Sequence, residues 1–142
     1  MKKQIKILQD DREPELQLLV DINNLGIEFV KERLRVGDYV YNNLLIERKT
    51  IDDFANSILD KRLETQVEKM KQSKKLCFII VIGSIKDRKS EINENCILGK
   101  MVSLVFKHNI KMLFVDDDLQ FCYVLRNLVK KYEILKGGQN EN

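Results

Sequence analysis

The sequence has no long apolar run, no even set of cysteines and little net charge, and each absence excludes a class of protein. No segment reaches the roughly 18 consecutive apolar residues of a membrane-spanning helix, so we expect no membrane association. Cys77, Cys96 and Cys122 are an odd number and lie in apolar stretches, which favours buried, reduced thiols over a disulfide framework. We therefore expect an intracellular protein, cytoplasmic in general and nuclear in a eukaryote.

The formal charge of +3 does not by itself predict a nucleic-acid partner, but the charges are unevenly distributed. Residues 1–60 hold 9 basic and 12 acidic side chains, whereas residues 61–142 hold 16 basic and 10 acidic ones. The chain of 142 residues is 44% hydrophobic and 33% charged, which is typical of one folded domain and not of a disordered segment. The excess of acidic side chains in residues 1–60 requires an explanation.

Short apolar segments alternate with helical patterns along the chain, which predicts an α/β domain with a central mixed β-sheet flanked by α-helices. The predicted strands are residues 5–8, 27–32, 36–41, 44–47, 76–82 and 111–115. The predicted helices follow Pro14, begin at Thr50 and at about Arg62, and cover residues 93–108 and 118–135. Residues 76–82 form an unbroken apolar run, so we expect them at the centre of the sheet. We expect a flexible tail over residues 137–142.

Two carboxylates and a lysine are expected to converge across a predicted hairpin. Asp38 lies near the start of one predicted strand, and Glu47 and Lys49 lie near the end of the next, with two asparagines at the turn between them. Residues 47 and 49 share one face of a strand, while Arg48 points to the other face or contributes its backbone carbonyl to the site. Carboxylates suit Mg²⁺, and a lysine beside the ion can orient or deprotonate an attacking water, as phosphodiester cleavage requires. The spacing alone also fits an ordinary solvated hairpin.

Additional motifs carry a resemblance to a known family. Residues 37–40 (GDYV) and 46–53 (IERKTIDD) resemble the signature GDx(n)ERKxxxD of the XPF-type structure-specific endonucleases, which include the archaeal Hef nuclease. Upstream, Asp10, Arg12 and Glu13 are similar to the DxRE element of that family. Downstream, the resemblance continues through Arg62, Gln66 and the segments 83–84 and 97–99.

The resemblance implies a restriction-endonuclease-like nuclease domain over residues 1–136. Asp38 and Glu47 would hold a divalent metal, Mg²⁺ with Mn²⁺ as the alternative, and Lys49 would position or activate the attacking water. Further catalytic positions implied by the match are Arg48, Asp53, Asp10 and Glu13. Four or more carboxylates near one site repel each other, and a bound cation would relieve that repulsion, which accounts for the acidic first half.

The resemblance also implies how DNA is bound and how copies associate. Family members usually carry a tandem helix-hairpin-helix domain after the nuclease domain, and some carry a helicase before it; neither fits in 142 residues. We therefore expect DNA affinity to come from the nuclease surface, a dimer, or a separate DNA-binding or helicase partner. The expected DNA contacts are Arg12, Lys61, Arg62, Gln66 and Lys69, within a basic stretch that continues through Lys71, Lys74 and Lys75. The last helices would form a homodimer interface with Leu104, Val105, Phe121 and Leu128 as candidates.

Three other features have structural interpretations. His108, the sole histidine, is expected to contact the C-terminal end of a helix. The acidic run 116–118 is expected to cap the last helix. Ile82 replaces an acidic residue common in related domains, which removes one polar neighbour of the site and leaves the metal-binding core intact.

The sequence thus predicts a Mg²⁺-dependent endonuclease that hydrolyses phosphodiester bonds near branched, forked or flap DNA junctions, in repair or recombination. One alternative is a non-catalytic DNA-binding or scaffold subunit of such a nuclease. Another is a junction resolvase or restriction-type nuclease of the same superfold. The intact motif residues favour the enzyme.

Overall fold

Six strands and five helices make up the part of the chain that the structure, a computed structural model, describes: residues 5–141, with side chains through residue 137. The strands are β1 (Ile5–Asp10), β2 (Ile27–Glu32), β3 (Tyr39–Tyr41), β4 (Leu44–Thr50), β5 (Leu76–Ile82) and β6 (Lys111–Val115). The helices are α1 (Gln17–Ile22), α2 (Ile51–Leu59), α3 (Arg62–Gln72), α4 (Glu94–Phe106) and α5 (Asp118–Glu141), with a 3-10 turn at Ile85–Asp87. Each predicted strand and helix is present.

The strands form one mixed sheet in the order β2-β1-β3-β4-β5-β6, which confirms the predicted α/β architecture. The β1–β3 and β3–β4 pairs are antiparallel, whereas β1–β2, β4–β5 and β5–β6 are parallel. The expected position of β5 was wrong in detail, because it is the fifth of six strands and the centre is occupied by β3 and β4. Helices cover β5 on both faces all the same, which explains its unbroken apolar run.

Two hydrophobic cores lie on opposite faces of the sheet. One joins the sheet to α1 and α5, with Val20 and Phe121 among its fully buried members. The other joins the sheet to α2, α3 and α4, through residues such as Phe54 and Leu63. Strand β4 alternates between them, since Ile46 packs into the first core and Leu45 into the second. The next residues along β4 inherit this alternation, which decides where the site residues point.

Gly37 occupies a position that other residues would strain. Its φ is +79°, in the left-handed region, and a Cβ there would lie 2.7 Å from Cγ of buried Leu45. The backbone therefore turns tightly just before Asp38 and brings that residue against β4. This gives a physical reason for the Gly-Asp pair of the motif.

Burial corrects part of the expected dimer interface. Leu104 is 1% exposed and Phe121 is fully buried, so both belong to the cores of this chain and offer no surface to a second copy. Leu128 is partly buried against the first core. Val105, in contrast, is 53% exposed on α4. The helical spacing of Leu104 and Phe121 therefore reflects packing within this chain.

The remaining differences are small. Helix α5 continues beyond Leu135 to Glu141, so the segment expected as a tail is helical as far as the structure describes it, and Asn142 lies outside the described residues. Cys77 and Cys122 are buried thiols as expected, but Cys96 is exposed in the first turn of α4. Within residues 5–141, no helix combines the length and apolar character needed to cross a bilayer.

Candidate active site

The β3–β4 hairpin brings Asp38 and Glu47 together. Tyr39 pairs with Ile46 in the antiparallel register, so the same register sets Asp38 opposite Glu47. The Asp38 amide donates to the Ile46 carbonyl at 2.9 Å, and the Arg48 amide donates to Asp38 Oδ2 at 2.8 Å. Both carboxylates line one cavity of about 210 Å³, hereafter the acidic cavity. The two carboxylates therefore lie together, as the predicted hairpin requires.

Burial and mutual repulsion raise the pKa of the carboxyl groups here. The pKa of Glu47 rises to about 8, first because the group is buried and then because Asp38 and Glu13 are close. The pKa of Asp38 rises to about 6, mainly through burial, although the Arg48 amide and Lys49 oppose the shift. The pKa of Glu13 rises to about 7, through burial and then the charge of Asp38. The raised pKa values mean that the protein alone does not stabilise these three carboxyl groups in their ionised form.

The donor set at the acidic cavity fits a hard divalent cation. Asp38 and Glu47 supply carboxylate oxygens, and buried Gln66 Oε1, on the same cavity, has no hydrogen-bond partner among the described residues. Glu13 Oε1 is likewise buried without a partner in the described part of the chain. No group of three or more His, Cys, Asp or Glu side chains within those residues has a metal-holding arrangement. Two carboxylates completed by water are the pattern that Mg²⁺ accepts.

Lys49 and Arg48 leave β4 on opposite faces, as the alternation predicts. Lys49 is 5% exposed and lies on the Glu47 face, where its charge opposes the rise in the pKa of both Asp38 and Glu47. Arg48 extends to the other face and reaches α5, where Nη2 and Nε donate to Asp118 Oδ1 at 2.7 and 3.2 Å. Its guanidinium also lies 5.9 Å from the ring centroid of Phe121. Arg48 is therefore held rigidly beside the site.

Asp117 and Asp118, in the acidic run at the start of α5, make different contacts. Asp117 caps the helix, since its Oδ1 accepts from the Gln120 amide at 2.9 Å, as expected for this run. Asp118 instead binds Arg48, a contact that the sequence analysis missed. The two residues are 70 positions apart, and no local pattern could have found the pair.

Asp10 serves as a structural link at the end of β1. Arg12 donates to Asp10 Oδ2 at 2.8 Å and to Oδ1 at 3.1 Å, and the Leu34 amide donates to Oδ1 at 2.9 Å. These contacts, the Arg12 hydrogen bond above all, lower the pKa of Asp10 to about 2. Arg12, expected to bind DNA, lines the acidic cavity but uses its guanidinium to tie Asp10 to the Leu34 carbonyl. Both residues fix the loop that borders the cavity.

The other expected site residues are scattered. Gln66 and Lys69 line the acidic cavity from α3. Arg62 donates to Asp60 at 2.7 Å in an exposed pair, and exposed Lys61 precedes α3 in a left-handed conformation, with φ 65°. Asp53 is exposed in the first turn of α2 and does not line the cavity, while its amide is capped by Thr50 Oγ1 at 3.2 Å. Arg35, which the sequence analysis did not name, does line it.

Comparison with known proteins agrees with these observations. Residues 9–128 match the model of the ERCC4 domain family. A Methanocaldococcus jannaschii protein named as an ATP-dependent RNA helicase is 35% identical over 134 residues, which cover 94% of this chain and 16% of that protein. The protein named 3'-flap repair endonuclease Xpf from Saccharolobus solfataricus is 28% identical over 140 residues, covering 97% of this chain and 59% of that protein. This chain thus spans about three-fifths or less of these relatives.

Solved structures give the same result. XPF from Aeropyrum pernix superposes with a TM-score of 0.82 at 26% identity, covering 96% of this chain and 69% of that one. The same protein in complex with DNA superposes with a TM-score of 0.77 at 26% identity, covering 90% of this chain and 66% of that one. The mixed sheet with its flanking helices is therefore that of an XPF-type nuclease domain, the restriction-endonuclease-like fold that the motifs predicted.

Proposed function

This chain belongs to the ERCC4 domain family, and from that premise we propose that it is an endonuclease that hydrolyses phosphodiester bonds near branched, forked or flap DNA junctions. The observation that carries the proposal is the pairing of Asp38 and Glu47 in one cavity, with Lys49 on the same face of β4. The relative named 3'-flap repair endonuclease supports the substrate class and a role in repair or recombination. The structural neighbour in complex with DNA supports a DNA ligand.

We propose Mg²⁺, with Mn²⁺ as the alternative, as the cation that Asp38 and Glu47 hold. Such an ion, when bound, polarises a phosphate oxygen and lowers the pKa of water. The protein supplies the rest of the chemistry: Lys49 Nζ orients the attacking water and stabilises the charge that develops on the phosphate. Arg48, fixed by Asp118, maintains the electrostatic environment of Glu13 and Asp38 from the opposite face.

DNA contacts are proposed around the rim of the acidic cavity. Lys69 and Gln66 border it directly and suit the strand that is cut. Lys61 and Arg62 lie at the start of α3 and suit phosphates farther along. Arg12 contributes by holding the loop that borders the cavity. A role for Asp53 rests on the motif alone, because its exposed side chain lies outside the cavity lining.

A homodimer remains part of the proposal, with a corrected interface. Exposed apolar side chains follow one stripe of α4, and Phe114 adds to them on the α4 face of β6, an edge strand of the described sheet. They are Leu98, Val102, Val105, Phe106 and Phe114. Phe106 is 91% exposed. Covering this stripe with a second copy would therefore remove apolar surface from water, which the already buried Leu104 and Phe121 cannot contribute.

Partners and location complete the proposal. The relative named as a helicase supports association with helicase activity, in a separate partner or in the same polypeptide. Three free thiols support an intracellular location, where cysteines stay reduced.

Cleavage of labelled DNA tests the proposed function. Purified protein with Mg²⁺ should cut flap and forked DNA near the junction and leave plain duplex of the same length intact. Binding without cutting would instead indicate a scaffold subunit. Preferential cutting of four-way junctions would indicate a resolvase.

A further inference from the structure

The basic stretch that follows the motif divides between two cavities. Lys69 lines the acidic cavity, but Lys71, two residues later on α3, lines a separate cavity of about 260 Å³. We call this second cavity the basic cleft. The residues lining it are Lys71, Lys74, Lys75, Cys77, His108, Asn109 and Ile110. None of these described lining residues is acidic.

The basic cleft lies where β5 and β6 begin. These strands are parallel, so the two loops that precede them meet at one end of the sheet. Lys74 and Asn109 adopt left-handed turns in those loops, with φ of 58° and 55°. Glu47 pairs with Ile79, four residues beyond Lys75, which corresponds to a separation of ~13 Å along the strand. The cleft is therefore a different place from the acidic cavity.

Lysines surround the cleft from several elements. Lys71 Nζ lies 3.3 Å from His108 Nδ1. Burial, followed by the charges of Lys71, Lys107 and Lys100, lowers the pKa of His108, and Glu68 is the acid that opposes them. Burial raises the pKa of Cys77, and a hydrogen bond with Ser73 and the charges of Lys111 and Lys75 oppose that rise. Lys100 also pairs with Glu64 at 3.9 Å, so its charge is partly offset.

Helix stabilisation explains part of this arrangement. Lys71 and Lys107 lie at the C-terminal ends of α3 and α4, where a positive charge interacts favourably with the helix dipole. That role does not explain Lys74 and Lys75, which lie in the segment before β5 and line the same cleft. Lys75 Nζ donates to the Asn42 carbonyl at 2.9 Å, which fixes its side chain but does not neutralise its charge. Like charges gathered in one place repel each other, and a bound anion would relieve that repulsion.

We propose that the basic cleft binds the sugar–phosphate backbone of a second arm of branched DNA while the acidic cavity takes the phosphate to be cut. The inference rests on the proposed endonuclease function. A polymeric anion is favoured over a small one because α3 borders both cavities, so that a continuous backbone crossing α3 can contact Lys69 and Lys71 in turn.

Salt-dependent binding tests the proposal. Anisotropy of labelled forked DNA is measured in EDTA, so that nothing is cut, for the wild type, Lys71→Gln/Lys74→Gln and the matched control Lys86→Gln/Lys89→Gln. The first variant should bind about tenfold more weakly, and its slope of log affinity against log salt should fall by about 2, since each phosphate contact contributes roughly 0.9. The same variant should lose less affinity for a single duplex arm than for forked DNA. The control should behave as the wild type.

A charge-preserving variant keeps the result interpretable. Lys71→Arg/Lys74→Arg should retain the wild-type slope, which separates lost charge from lost folding. The inference is overturned if Lys71→Gln/Lys74→Gln binds forked DNA with the affinity and salt slope of the wild type. It is also overturned if this variant binds a polyphosphate probe more weakly than the wild type does but binds DNA equally well. Cleavage by the wild type combined with that unchanged slope contradicts this inference alone. No cleavage by the wild type contradicts the proposed function itself.

Discussion

Arg48 and Asp118 join the motif strand β4 to the last helix: the Arg48 guanidinium donates to Asp118 Oδ1 at 2.7 Å across 70 positions of sequence. The same arginine donates its backbone amide to Asp38 Oδ2 at 2.8 Å. One residue therefore connects α5 to a proposed metal-holding carboxylate. The side chain of Arg48 is only 13% exposed and that of Asp118 is 38% exposed, so the connection is partly shielded from solvent.

Asp118→Asn should slow cleavage by about tenfold or more, because a loosened Arg48 shifts groups that must be held within a fraction of an ångström. The fall should be in kcat, with little change in KM, since Asp118 is proposed to position Arg48 and not to bind DNA. The matched control is Asp117→Asn, in which asparagine caps α5 as well as aspartate does. Equal kcat in both variants and the wild type would contradict the positioning role.

Asp10→Ala should act mainly on stability. The buried carboxylate accepts hydrogen bonds from Arg12 and from the Leu34 amide, so its loss should lower the free energy of unfolding by ~2–4 kcal/mol, measured by chemical denaturation. Asp11→Ala, which removes the partner of Arg33 in an exposed pair, is the control and should cost under ~1 kcal/mol. If Asp10→Ala unfolds as the wild type does but loses cleavage, Asp10 acts in catalysis instead.

The metal-free protein should lose stability as the pH rises from about 4.5 to about 8. Glu47 has a pKa near 8 in the folded chain against an ordinary value of 4.5, so the folded state holds a proton that the unfolded state releases in this window. Each tenfold difference in proton affinity between the two states is worth ~1.4 kcal/mol at most, and less where solvent reaches the group. Unfolding in EDTA should show the fall in stability with pH, and Mg²⁺ should flatten it.

Glu47→Gln removes the titrating group and should reduce that dependence on pH, whereas exposed Glu91→Gln should leave it as in the wild type. A dependence of the same size in Glu47→Gln would show that the loss of stability does not come from Glu47.

Phe106→Glu should shift a homodimer towards monomer in light scattering, because it places a charge in the exposed apolar stripe of α4. Leu18→Glu, a change at a large exposed side chain on α1, is the control and should not alter the mass. A monomeric wild type, or a dimer unaffected by Phe106→Glu, would contradict the corrected interface.

The hairpin and its carboxylates were predictable because their geometry is local. Period-two alternation placed Glu47 and Lys49 on one face, and the Asn-Asn turn set Asp38 opposite Glu47. The link from Arg48 to Asp118 was not predictable, because it depends on which helix packs on which face of the sheet. The same limit explains why Leu104 and Phe121 were assigned to a dimer interface, since their helical spacing fits a core and an interface equally well. It also explains why the sequence did not show that Lys69 and Lys71 line different cavities.

Cleavage of forked DNA by site variants tests the central claim most directly. With Mg²⁺, Asp38→Ala and Glu47→Ala should lose cleavage by at least about 100-fold while circular dichroism shows an intact fold. Lys49→Ala should still bind Mn²⁺ in titration calorimetry and yet lose turnover. Full activity in both Asp38→Ala and Glu47→Ala would contradict the assignment of this cavity as the nuclease site.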